Sequence, residues 1–212
     1  MSPLAIGIVD SGVNPWHSHV RGAVSGCRIF VGPGGELRED GDFRDLVGHG
    51  TAVAGVIRGA FPDAELFAVR VFDADGATWP SLVARGILRA AAQGCEFINL
   101  SLGVAPGPGS RAVADACAAA LDAGCVIVAS EHPGRTDWLP ASLPGVHAVR
   151  ADDSLDADSV TECGERRLAA SGRPRDLPDL PREANLDGHS FACARALIHL
   201  AKRRADAVSR SA

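Results

Sequence analysis

The sequence predicts an α/β domain, a three-layer sandwich whose mostly parallel central sheet carries helices on both faces. Three observations lead there. The strand-like segments are near-continuous apolar runs, as strands buried on both faces are. Helix-patterned segments separate them, in the order strand, helix, strand, helix, strand. At 212 residues, 46% hydrophobic and 22% charged, the composition is ordinary for one domain, here residues 1–212, with a sizeable core.

The elements follow in order. AIGIV (5–9) is a continuous apolar strand, and a polar, Gly-rich stretch runs from it through VGPGGELREDGD (31–42). HGTAVAGVIRG (49–59) has helical character, with Gly59 as its stop, and ELFAVRVF (65–72) is a strand closed by the turn residues DADG (73–76). From Pro80 to Gln93, Leu82, Val83, Ile87, Leu88 and Ala91 form a helical stripe, with Pro80 in the first turn and Gly94 at the end. EFINL (96–100) is a strand, RAVADACAAALDAG (111–124) a helix, CVIVAS (125–130) a strand and VHAVRA (146–151) one more. The segment 152–187, rich in Asp, Pro and Arg, reads as a long surface excursion. The last helix spans about 190 to 207, with Phe191, Ala194, Leu197, Ile198 and Ala201 on one face.

Charge and cysteine content narrow the function classes. A net charge of −5 and a single lysine, Lys202, beside Arg203 and Arg204 argue against nucleic-acid binding, which needs a basic face. The start, MSPLAIGIVDSG, lacks a basic n-region, and no run approaches the roughly 18 apolar residues of a membrane span. Six cysteines without a CxxC pair read as reduced core thiols of a cytoplasmic protein.

In an open parallel sheet, sites form beyond the carboxyl ends of the strands. Asp10 follows the first strand, Asn99 and Ser101 end the 96–100 strand, and Glu131 and His132 follow the 125–130 strand. His49 opens one helix and Ser190 another. A serine at a helix N-terminus suits nucleophilic work, because free N–H groups favour developing negative charge. Taken singly, however, Ser190 is also a good N-cap and Asp10 a turn residue.

Together, VDSGVNPWH, GHGTAVAGVI, INLSLG and DGHSFACARAL resemble the subtilisin-like serine peptidases, in their chain order of Asp, His, Ser. AVRVFDADG, ILRAAAQGCEFINLSLG and LPASLPGVHAV extend the resemblance over about residues 4 to 204. The resemblance implies a subtilisin-like fold and a serine endopeptidase. Ser190 would be the nucleophile, His49 the general base and Asp10 the residue that orients the imidazole. It also implies substrate contacts at Ser101, Leu102, Gly103, Ser130, Glu131 and Trp138.

The chain departs from the family at two places. Where the family has Ala-Gly-Asn-x-Gly, with the asparagine donating to the oxyanion, this chain has Ser130-Glu131-His132-Pro133-Gly134. Loss of such a donor costs about 10²–10³ in rate, and the His132 imidazole is the candidate replacement. Glu131 replaces a glycine of the wall of the pocket for the residue before the cut, and Trp138 falls at its floor. A buried acid favours a basic substrate residue and an indole a small one; the shallow pocket is the preferred reading. Shortened calcium loops imply no essential metal, and no cofactor is expected. The absence of a pro-region before residue 4 and the small size suggest an intracellular enzyme maturing a particular peptide or protein.

The alternative is a catalytically impaired pseudopeptidase that binds peptides or acts as a scaffold. An α/β-hydrolase esterase fails on chain order, since the only histidine after Ser190 is His199. A metal hydrolase built on His17, His19 and Asp10 lacks further ligands, and no P-loop is present for a nucleotide. Cys193, one turn after Ser190, is expected to face the core. The oligomeric state is left open.

Overall fold

The computed structural model describes residues 3–211. Met1, Ser2 and Ala212, included in the single-domain reading, lie outside the described residues. The strands are β1 (Ala5–Asp10), β2 (Val24–Val31), β3 (Leu37–Asp40), β4 (Glu65–Arg70), β5 (Phe97–Leu100), β6 (Val126–Ser130), β7 (His147–Ala151), β8 (Val160–Gly164) and β9 (Arg167–Ala170). The helices are α1 (His49–Ala60), α2 (Pro80–Ala92), α3 (Ser110–Asp122) and α4 (His189–Ser211), with a short 3-10 turn at Arg182–Ala184.

The strands form one sheet in the order β3-β2-β4-β1-β5-β6-β7-β9-β8. Pairing is parallel from β2 through β7 to β9, and antiparallel only in the edge hairpins β2–β3 and β8–β9. The mostly parallel, helix-covered sheet is the architecture the apolar runs predict.

Alternation across the central strands divides the core into two layers. Ile98, Leu100, Ile127 and Ala129 face one side with Leu82, Ile87 and Val113 of α2 and α3. Ile6, Ile8, Phe97 and Val128 face the other with Val53, Ile57, Phe191 and Leu197 of α1 and α4. Arg58 of α1 is also buried, its guanidinium donating to the carbonyls of Val20, Ala23, Pro62 and Ala64 at 2.7–2.9 Å. Those bonds tie the β1–β2 connection to the end of α1.

The structure corrects the sequence reading at the sheet edges. The stretch after β1 contains β2 and β3, and the 152–187 excursion contains β8 and β9. The edge strands β3 and β8 are short and expose nearly every residue, and β2, eight residues long, buries only Cys27 and Ile29, so they lack the apolar run that marks the central strands. The final helix begins at His189 and extends to Ser211 rather than ending near 207. Of the added residues, Val208, Ser209 and Arg210 are exposed, beyond the reach of an apolar-stripe criterion.

Candidate active site

The site lies where β1, β5 and β6 end and α1 and α4 begin. Asp10, the last residue of β1, is 1% exposed. His49 is the first residue of α1. A buried carboxylate sets the start of that helix: Asp45 accepts N–H bonds from Val47 (2.9 Å), Gly48 (2.8 Å) and Thr51 (2.8 Å), and a hydroxyl bond from Thr51 (2.6 Å). Ser11 donates its hydroxyl to Asp45 at 2.9 Å and accepts the Gly50 N–H at 2.9 Å. One network therefore joins the end of β1 to the first turn of α1 and satisfies donors that a helix start leaves free. Gly50 permits the close approach, since a Cβ there would run into the Gly12 carbonyl and the Asp10 side chain.

His49 Nδ1 donates to Asp10 Oδ1 at 2.8 Å, and the Ser11 amide donates to the same oxygen at 2.7 Å. With Nδ1 as the donor, a neutral imidazole presents Nε2 as a base. The Asp10 charge holds the His49 pKa above its ordinary value, against burial, which lowers it. Asp10 Oδ2 is buried without a partner.

Ser190 stands in the first turn of α4, and the next residue, Phe191, brings its ring within 5.8 Å of the His49 ring centre. Two bonds tie Ser190 to the end of β5. Its hydroxyl donates to the Ser101 carbonyl at 3.4 Å, and the Ser101 hydroxyl donates to the Ser190 carbonyl at 2.9 Å. Asn99, fully buried, donates to the Ser101 hydroxyl at 2.8 Å. Position in the first turn also leaves the Ser190 amide without an intrahelical acceptor, available to an oxyanion. Cys193 is fully buried and its thiol is pushed up to about 12 by burial, so it faces the core as expected and is no thiolate nucleophile.

The remaining residues cluster on the β5–β6 side. Ser101, Leu102 and Gly103 leave the sheet beside Ser130, Glu131 and His132, because β5 and β6 are neighbours. The Glu131 carboxylate pairs with Arg167 at 3.0 Å, and its amide continues the β6–β7 ladder by bonding to the Val149 carbonyl at 2.7 Å. His132 Nδ1 donates to the Pro133 carbonyl at 3.0 Å, and its ring lies 3.8 Å, centre to centre, from Trp138. In the neutral ring Nε2 then carries a lone pair, not a proton. The rings of His17 and His19 meet edge to face at 5.3 Å, while Asp10 turns to His49.

Several contributors escape sequence reasoning. Ser11 and Asp45 act through a buried network that only the fold assembles. Asn99 was visible at its strand end, but its hold on Ser101 was not. His189 sits beside Ser190, its pKa lowered mainly by burial with Glu131 opposing; its place in Gly188-His189-Ser190 was the only signal.

The model of the subtilase family matches residues 2–145, more than half of the chain, with Asp10 and His49 inside the match. The chain belongs to the subtilase family. Ser190 lies beyond the matched segment. Thermitase of Thermoactinomyces vulgaris is 36% identical over 167 residues, covering 73% of this chain and 57% of thermitase. Subtilisin DY of Bacillus licheniformis is 34% identical over 165 residues, 70% of this chain and 56% of that protein. The chain thus spans less than two thirds of the length of these curated relatives.

Among solved structures, a cold-adapted subtilisin-like serine proteinase superposes with a TM-score of 0.71 at 23% identity, over 94% of this chain and 76% of that one. A mutant of the protease domain of PatA superposes equally, also at 0.71 and 23%, over 98% and 81%. The epidermin leader peptide processing protease of Staphylococcus aureus reaches 0.59 at 20%, over 70% and 46%. At these identities the structural likeness speaks for the fold.

Proposed function

We propose that this subtilase is a serine endopeptidase that hydrolyses peptide bonds through Asp10, His49 and Ser190. The observation that carries the reading is the 2.8 Å bond from His49 Nδ1 to buried Asp10, which leaves Nε2 free to act as a base, with Ser190 in the first turn of α4 as the nucleophile. In the forward step Ser190 Oγ attacks the scissile carbonyl and Nε2 takes its proton. The same proton passes to the leaving amine as the tetrahedral adduct collapses to an acyl-enzyme. Water, deprotonated by His49, then attacks the ester and releases the carboxylate product. Asp10 holds the tautomer throughout and stabilises the imidazolium.

The substrate is a peptide or protein, and the proposed role is maturation of a particular one rather than general digestion. A cytoplasmic location agrees with the cysteines, all free and all but Cys163 buried. The test is hydrolysis of a diverse peptide library by wild type and Ser190→Ala. Turnover by wild type alone, with a pre-steady-state burst on an activated ester, supports the reading; equal turnover by both proteins removes it.

One observation favours the second reading, a pseudopeptidase. The Ser190 hydroxyl bonds to the Ser101 carbonyl rather than to His49. Catalytic hydrogen bonds are often loose without substrate, so activity remains the first reading. A protein that binds library peptides without cleaving them would reverse the order.

A further inference from the structure

Two neighbouring walls stand by Ser190, Ser101-Leu102-Gly103 after β5 and Ser130-Glu131-His132 at the end of β6, segments of adjacent strands. Ser190 Oγ donates to the Ser101 carbonyl of the first wall. On the endopeptidase reading, the side chain that precedes the attacked carbonyl enters between these walls.

An indole occupies that space. The Trp138 ring lies 3.8 Å, centre to centre, from the His132 ring on one wall, tilted by 36°. On the other wall it lies flush against Gly103, where an added Cβ would stand 2.9 Å from Trp138 Cε3. Its backbone is pinned through the next residue: Val104 and Leu139 exchange two N–H to carbonyl bonds of 2.7 and 2.9 Å. The indole N–H is buried with no acceptor, so it is packing, not a polar anchor, that sets the ring there. The acid nearest the cleft is also committed, since Glu131 pairs with Arg167.

We propose that Trp138 fills the specificity cleft of this enzyme and restricts cleavage to bonds that follow a small residue, glycine, alanine or serine. The proposal rests on the endopeptidase reading above. A large side chain must expel an indole held between two walls, and a basic one finds Glu131 already neutralised. Gly103 is part of the device, because a side chain there would crowd the ring at Trp138 Cε3.

The test uses internally quenched peptides that differ only in the residue before the scissile bond, with fluorophosphonate labelling of Ser190 run alongside. Wild type is expected to favour alanine over phenylalanine or leucine by at least about 100-fold in kcat/KM, the scale on which pocket size discriminates. Trp138→Gly should raise the ratio of kcat/KM for phenylalanine and leucine over alanine by on the order of 100-fold. Trp138→Phe keeps the cleft filled and should keep the small-residue preference. Efficient wild-type hydrolysis after phenylalanine, leucine or arginine overturns the proposal whether or not the variants fold. A Trp138→Gly protein that folds and labels yet keeps the wild-type profile also overturns it. Failure of wild type to label removes the endopeptidase reading itself, and this proposal with it.

Discussion

His49 Nδ1 lies 2.8 Å from Asp10 Oδ1, a pair formed between the first residue of α1 and the last residue of β1, with the carboxylate 1% exposed. The Asp10 charge raises the His49 pKa above 6.5, and burial opposes it without winning. A raised folded-state value means that the pairing contributes stability that is fully present below pH about 6.5 and is lost as pH rises through the folded pKa. The rate runs the opposite way, because a general base must be neutral. We expect the acidic limb of the kcat/KM profile to lie above pH 6.5, and Asp10→Asn to lower kcat by on the order of 10⁴. A pH–rate profile of both proteins checks this.

Asp45 holds the start of α1 in place for that pairing. Asp45→Ala removes the acceptor of the Val47, Gly48 and Thr51 amides and leaves the Ser11 and Thr51 hydroxyls with one partner fewer each, which should cost about 3 kcal/mol. Urea denaturation measures the loss. Activity should fall further than stability predicts, since His49 is the first residue of the helix that loses its anchor.

Arg58 tests the fold away from the site. Its guanidinium bonds to four backbone carbonyls, and Arg58→Leu would leave those of Val20, Pro62 and Ala64 without this donor, while the Ala23 carbonyl keeps the Leu66 N–H. A loss of about 3 kcal/mol or more is expected, read from the denaturation midpoint, with Ser190 labelling unchanged in the fraction that stays folded.

His132 is the departure with the clearest kinetic consequence. Because Nδ1–H is bound to the Pro133 carbonyl, neutral His132 has no proton on Nε2 to offer an oxyanion. His132→Ala should therefore cost less than the 10²–10³ typical of a lost oxyanion donor, and His132→Asn should raise kcat by about tenfold or more. Steady-state kinetics on one small-residue peptide decide the matter.

The central sheet, the four helices and the three triad candidates were legible in the sequence because each carries a strong local signal. β1 and β6 are apolar up to their last residue and β5 is apolar but for Asn99, and Asp10, His49 and Ser190 sit at element ends inside recognisable motifs. The edge strands were not legible, since β3 and β8 are short and mostly solvated. Nor was the fate of Glu131. Sequence left an acid and an indole competing for one pocket, and only the pairing with Arg167, two strands away, shows which of them is committed elsewhere. Asp45 gave no signal because its function is made of partners at residues 11, 47, 48 and 51.

Ser190 as an activated nucleophile is the centre of the proposed chemistry. Intact-mass analysis after reaction with a small fluorophosphonate should show one adduct on wild type, mapped to Ser190, and none on Ser190→Ala. A folded wild-type protein that takes up no adduct across pH 6 to 9, or an adduct of equal yield on Ser190→Ala, would contradict it.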